Sequence, residues 1–486
     1  MLFRNAVTGV WVAGTCICLA AVAYPARAQC ENAKLVASDA TYGDSFGMAV
    51  SISGEYAIIG APQYDGPGHG NDDVGAAYVF QRTASGWAEV EKLTASDYAA
   101  LDEFGRSVSI HGDLAIVGVE AHDDPGPSAG TAFIFWYDGE NWMEDVKLTA
   151  SDAADYDHFG VSVAAGENRV VVGAHYDDDG ESNSGSVYLF EWADGTWSEE
   201  AKLNANDAGN GDRFGQVISL SGDYILIGAP EDDDPDAGSN AGSAYVFHRS
   251  GIGWTQEDKL IASDASAMDY FGTTVALSGS LAVVGAHRED DSCGQEGLTD
   301  CGAAYVFGRN GSQWVEEAKL IADDTYPGQW FGQSVATDGE SILVGAQRDN
   351  HSGTNSGASY VFARNGESWY QQTKLTDTQA SYNDVFGCSV AIEGATALVG
   401  AEGDYVEAIR DRSGSAFVFT RLGGKWDIGL DDLDLLVFMQ FQTCFSGDLS
   451  AEPESCCSTF DCDADGDVDL EDFADCLHDG FGVQTP

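Results

Sequence analysis

Twelve residues near the C-terminus hold the clearest ligand geometry in the sequence. The stretch DCDADGDVDLED, Asp461 to Asp472, sets carboxylates at alternate positions and follows them with Gly466. Calcium takes about six to eight hard oxygens, and alternating acids before a glycine turn wrap a chain around one such ion. Asp461, Asp463 and Asp465 supply side-chain oxygens, Asp467 its backbone carbonyl and Asp469 a direct or water-mediated contact, while Asp472 closes the shell. Calcium is the expected cofactor, and the following LEDFADCL reads as a short helix.

Two further sets of acids stand earlier in the chain. Triplets occur at Asp177-Asp178-Asp179, Asp232-Asp233-Asp234 and Glu289-Asp290-Asp291, where they form candidate positions on a ligand-binding face. Aspartate pairs five residues apart, such as Asp97/Asp102 and Asp264/Asp269, fit turn caps that accept backbone N–H groups. Catalysis needs one asymmetric constellation, a nucleophile with its base or an acid–base pair, and these near-equal copies offer none. His175 and His287 share one repeat position, where Pro62 and Pro230 stand in other copies, and read as loop residues. The expectation is therefore binding rather than catalysis.

The elements that position these residues are repeats. Phe-Gly recurs at 46, 104, 159, 214, 271, 331 and 386, and 14 residues after each such Phe comes the Gly of a "GA" or "GV" pair. A "GSAYVF"-like segment follows, with a tryptophan seven residues beyond its Phe, from Trp87 to Trp426. Phe104, Val108 and Ile110 alternate along a two-residue period, turns such as Ser53-Gly54-Glu55 and Asn310-Gly311 join short segments, and no 3.6-residue pattern appears in the repeats. Each unit reads as four strands, and four-stranded units repeated radially make a β-propeller. The seventh unit lacks the Lys-Leu strand that ends the other six, and Lys34-Leu35 supplies one at the other end of the chain. The predicted fold is all-β, a seven-bladed propeller closed by an N-terminal strand, followed by a small α-helical calcium-loop tail. The "GA"-to-"GSAYVF" loops vary most in length and emerge on the same face as the crossovers between units, so specificity is expected there.

These motifs resemble the FG-GAP repeats of integrin α-chain propellers and their bacterial relatives, over residues 33–426, with full GAP at Gly60-Ala61-Pro62 and Gly228-Ala229-Pro230. The resemblance implies extracellular recognition or adhesion, with a protein or glycan as ligand. Integrin propellers carry DxDxDG calcium loops between the FG and GAP strands. Here only short turns such as Ser221-Gly222-Asp223 stand at that place, with too few oxygens for an ion. The tail resembles dockerin repeats, with Asp472 in place of the usual Glu. Its other half, Asp427 to Phe438, lacks the first three ligand positions. A cohesin-like partner for the tail is what that resemblance implies.

Arg4, the apolar run Val10 to Val22 and Ala26-Arg27-Ala28 read as a cleaved secretory signal over 1–28, too short to span a membrane. Residues 29–426 then form the propeller and 427–486 the tail, in a secreted or cell-surface protein with no membrane insertion. Eighty acidic against 22 basic residues give a net charge of −58, which repels nucleic acid. Export agrees with the cysteines: Cys293 and Cys301 can staple the longest variable loop. Cys30 is expected to pair among Cys444, Cys456, Cys457, Cys462 and Cys476, which leaves Cys388 a buried free thiol. The alternative function is an accessory protein or hydrolase of extracellular polysaccharide breakdown, docked through the tail.

Overall fold

Seven antiparallel four-stranded sheets account for nearly all of the regular structure. The computed structural model describes residues 31–66, 72–251, 253–293, 299–366, 368–406 and 411–420. Blade four shows the pattern, with Val217–Ser221, Tyr224–Ala229, Ser243–Ser250 and Gly253–Leu260 paired in chain order. The first strand of each blade packs against the first strands of its neighbours, and that of blade seven (Val390–Glu393) packs against that of blade one (Val50–Ser53). The sheets therefore stand radially in a closed ring, with the first strands around a central channel. This is the seven-bladed propeller expected from the repeat.

Local sequence explains the strands. Ser53 pairs with Tyr56 across Gly54-Glu55, and Gly54 takes φ +58°, the conformation a two-residue hairpin demands at its first central position. The Asn310-Gly311 turn is shifted by one residue from its sequence reading. Asn310 pairs with Gln313, and Gly311 with Ser312 forms the turn. The third and fourth strands slip register at the same place in blades one to six, for example between Val246 and Phe247, which marks a bulge that adds twist.

The core is divided among the seams. Seven apolar clusters each join two adjacent blades, so no blade buries its faces alone. Every Phe of the Phe-Gly pairs is fully buried, and Phe104 with Val108 and Ile110 lies in the cluster between blades one and two. The glycines set how closely blades approach. A Cβ on Gly60 would sit 1.9 Å from the carbonyl oxygen of Gly105 in the next blade, so the Gly of "GA" and the Gly of the following "FG" form one backbone seam. The last seam, Gly400 against Gly47, joins blade seven to blade one in the same way.

The N-terminal strand Glu31–Leu35 pairs antiparallel with Ser415–Thr420 and completes blade seven, with Lys34 opposite Phe417 and Leu35 opposite Ala416. Cys293 and Cys301 are bridged, with Cα atoms 5.5 Å apart. Cys388 is free and half-buried rather than fully buried, and desolvation pushes its thiol up to about 12. The signal segment 1–28, Cys30, Trp426 and the tail 427–486, with its helix, its cysteines and the calcium positions Asp461, Asp463, Asp465, Asp467, Asp469 and Asp472, lie outside the described residues. No helix among the described residues is long and apolar enough to cross a membrane.

Candidate functional site

The acidic triplets are built into a clasp that recurs around the ring. In blade three the Lys202 ammonium lies 2.9 Å from Asp152 of the crossover and 3.0 Å from Asp177 of the variable loop, and also bonds Asp179. The Tyr188 hydroxyl is 2.7 Å from Asp177 and 2.8 Å from Asp152. Burial pulls Lys202 down, but its bonds to Asp152, Asp179 and Asp177 outweigh it and leave the ammonium above its ordinary range. Lys259 joins Asp207 and Asp232 in the same way, Lys319 joins Asp264 and Glu289, and Lys374 joins Asp324 and Asp349. In blade seven Lys34 of the N-terminal strand reaches Asp404 at 2.5 Å, so the clasp helps close the ring. Blades one and two vary it: the Lys92 ammonium lies over the Tyr64 ring, and Lys147 meets His122 and Asp124.

The predicted face residues thus divide by position. Asp177, Asp232 and Glu289 are buried in the clasp. Asp178, Asp233 and Asp290 are exposed, and each accepts a backbone N–H across its loop, from Asn183, Asn240 and Asp300. Asp234 accepts from Asp236 and Ala237, while Asp291 is exposed and donates its own N–H to Glu289. The crossover pairs behave as expected of turn caps: Asp44, Asp102, Asp157, Asp212 and Asp269 each accept the N–H three residues earlier. Burial raises Asp157 and Asp212 to about 6 and Asp269 to about 7. Blade seven departs from the pattern. Asp377, Asp384 and Asp404 are all buried with carboxylate oxygens within 4.8 Å of one another, beside Lys34.

The crossovers carry a second layer that sequence reading missed. Leu101, Tyr156 and Met268 lie at φ +68°, +71° and +71°, a left-handed conformation that costs a branched or bulky residue free energy. They are nevertheless 61%, 60% and 54% exposed, so burial returns nothing for that strain. Gly43, Gly211, Gly328 and Asn383 fill the equivalent places in other blades. Tyr42, Tyr98 and Tyr382 add further exposed rings on the same crossovers.

Inside this rim, the residue before every Phe-Gly also takes positive φ, between 50° and 58° at Ser45, Glu103, His158, Arg213, Tyr270, Trp330 and Val385. Each lies directly ahead of a first strand, at the mouth of the channel. The seven side chains differ completely, although the backbone repeats. Arg106 bonds Glu103 and Glu120, and its charge is felt at His158 and His175 in blade three and at Glu402 in blade seven. Desolvation raises the carboxyls of Glu120 and Glu402. His175 and His287 stand in the turns after the second strands, as expected of loop residues, but are buried there, and desolvation drives both down to about 3, so they are neutral. His175 packs on Tyr176 with centroids 3.9 Å apart, and Arg213 lies 5.1 Å over the same ring. Tyr270, His287, Arg288, Trp330 and Arg348 make the corresponding group at the seam of blades five and six. His175 Nδ1, His287 Nδ1, Trp330 Nε1, Arg288 Nε, Gln216 Oε1 and Gln333 Oε1 are buried here without a hydrogen-bond partner. The sequence signal for this ring was present in an unexpected form: a fixed repeat position, the residue before each Phe-Gly, whose seven residues never agree.

No curated protein matches the chain. Among solved structures, the crystal structure of Saccharomyces cerevisiae Sqt1 is similar, with a TM-score of 0.43 and 11% identity over 81% of this chain and 100% of that one. The FG-GAP repeat family matches seven segments, residues 30–80, 87–135, 142–190, 197–247, 254–307, 314–362 and 369–419. Each segment runs from the outer strand of one blade through the first three strands of the next; together they cover well over half of the sequence, and the chain belongs to the FG-GAP repeat family.

Proposed function

We propose that this is an exported, non-catalytic binding or adhesion protein that recognises a protein or glycan ligand through the crossover face of the propeller, with calcium held in its tail. The observation that carries the reading is the exposed, strained set Leu101, Tyr156 and Met268, which rims a channel mouth with unpartnered polar atoms. Backbone strain at exposed apolar side chains gains nothing in folding and is maintained where a surface is used. The acids of the variable loops organise that surface from beneath, and the solvent-facing ones contribute to its edge.

Calcium in the tail rests on the spacing of Asp461, Asp463, Asp465, Asp467, Asp469 and Asp472. Five or six converging carboxylates repel one another until a cation neutralises them, so binding and local folding are coupled there. A glycan and protein array probed with mature chain 29–486, in calcium and in chelator, tests the reading. Capture of a defined ligand is expected, and calorimetric calcium uptake should disappear with Asp461→Ala plus Asp465→Ala. An array blank under both conditions contradicts the binding function. A hydrolytic reading draws on Glu120 and Glu402, which share one repeat position in blades two and seven and have raised carboxyls at the channel mouth. Turnover of a captured glycan, lost in Glu402→Gln, would put that reading first.

A further inference from the structure

Basic side chains are scarce in this protein, and nearly all are neutralised. No described lysine stands alone: Lys34, Lys92, Lys147, Lys202, Lys259, Lys319 and Lys374 each pair with a carboxylate. Arg106, Arg169, Arg213, Arg249, Arg309, Arg364 and Arg412 do the same. Among the described residues three arginines form no ion pair, and two of them, Arg288 and Arg348, are neighbours. The third, Arg82, stacks on Trp87 and donates to Thr396 on another part of the ring.

Arg288 and Arg348 flank one indole. The Arg348 guanidinium lies 3.3 Å from the Trp330 ring centroid, and Arg288 lies 5.6 Å from it and 5.0 Å from Tyr270. Two like charges share an aromatic pair without a bonded counter-ion. Burial and the charge of Arg288 pull Arg348 below its ordinary range against the field of Asp300, which does not bond it. Donors around the pair are also unused, because Arg288 Nε and Trp330 Nε1 are buried and meet no acceptor, and buried His287 leaves Nδ1 unpartnered. In a chain of net charge −58 a carboxylate partner would be easy to supply, and none among the described residues pairs with either arginine.

We propose that Arg288 and Arg348, set around Trp330 at the channel mouth between blades five and six, bind a single oxyanion, a carboxylate, carried by an otherwise uncharged ligand. This names the ligand chemistry of the face described above and rests on that reading. A guanidinium pair offers forked donors that match a carboxylate's two oxygens, and Trp330 Nε1 adds a third direction. The overall charge selects against polyanions, which feel the whole field, while one carboxylate at short range feels chiefly the two arginines. The bridge Cys293–Cys301 holds the end of the adjoining variable loop, where the Asp300 carbonyl accepts the backbone N–H of Trp330 and anchors that residue's main chain.

The test follows the Trp330 indole N–H resonance of the mature chain, assigned with Trp330→Phe, at constant ionic strength. Methyl glucuronide, N-acetyl-glycylglycine and sulfate are titrated, with methyl glucoside as the uncharged control. A saturable shift with either carboxylate and none with the glucoside is expected, and the tighter carboxylate tells a sugar acid from a peptide terminus. Arg348→Gln should weaken binding at least about tenfold and Arg288→Gln with Arg348→Gln should abolish it. Arg348→Lys, which keeps the charge but loses the fork, should fall between. No saturable shift with either carboxylate, or an equal shift in a folded double variant, overturns the proposal. A shift with sulfate alone overturns the carboxylate assignment. Array capture that survives the double variant would leave the binding face intact while removing this subsite, so the two readings fail separately.

Discussion

At the scale of single residues, the protein separates acids that organise loops from side chains left free for a ligand. Asp269 shows what the first group costs. Its carboxyl is buried, accepts the Ser266 N–H and titrates at about 7 against 3.8 for an ordinary aspartate. The folded state therefore holds a proton between those values that the unfolded chain releases. The resulting stabilisation is complete below pH 3.8 and is lost as pH rises through 7. Asp269→Asn keeps the acceptor and removes the ionisation. It should raise stability at pH 8 by roughly 2 kcal/mol and much less at pH 5, read from denaturant midpoints at the two values. An equal effect at both would mean that the carboxyl is not desolvated. The turn-cap role of such aspartates was legible from their spacing. The lysine of each Lys-Leu pair was visible too, but its partner was not. The clasp joins a lysine to acids 25 and 50 residues away, as Lys202 to Asp177 and Asp152, and only the ring brings them together.

At the scale of elements, the motif glycines act as seams. Gly60 must accept the Gly105 carbonyl of the next blade, and Gly105 itself takes φ +95°. Gly60→Ala would place a methyl group 1.9 Å from that oxygen, so one blade must shift against its neighbour. A loss of at least about 2 kcal/mol is expected, against almost none for Gly54→Ala beyond its turn strain, because Gly54 has open space around its Cβ position. Similar losses at both sites would remove the seam explanation. Strands, turns and blade count were readable because period-two alternation and turn glycines are local signals. The left-handed crossovers were not, since nothing in Leu101, Tyr156 or Met268 as residue types suggests φ near +70°. Each donates its backbone N–H to a variable-loop carbonyl, of Asp72, Pro127 and Ser239, contacts that only the folded ring supplies.

At the scale of the whole molecule, closure and charge meet at blade seven. Leu35 and Ala37 are buried in the cluster that joins blades seven and one, and Lys34 holds Asp404. Deleting Ala33 to Ser38 should lower the melting temperature by about 5 °C or more, since it removes buried side chains, a strand of hydrogen bonds and an ion pair together. An unchanged transition would refute the shared blade. That the chain's start completes its last blade was legible from one missing Lys-Leu pair. Which face residues serve a ligand was not, because function here lies in the positions where the repeats disagree. The most direct measurement of that claim replaces Leu101, Tyr156 and Met268 together by glycine and records both melting temperature and ligand capture. Glycine relieves the left-handed strain, so the variant should be as stable as the parent or more so while capture falls at least about tenfold. Undiminished capture by a folded triple variant would contradict the account.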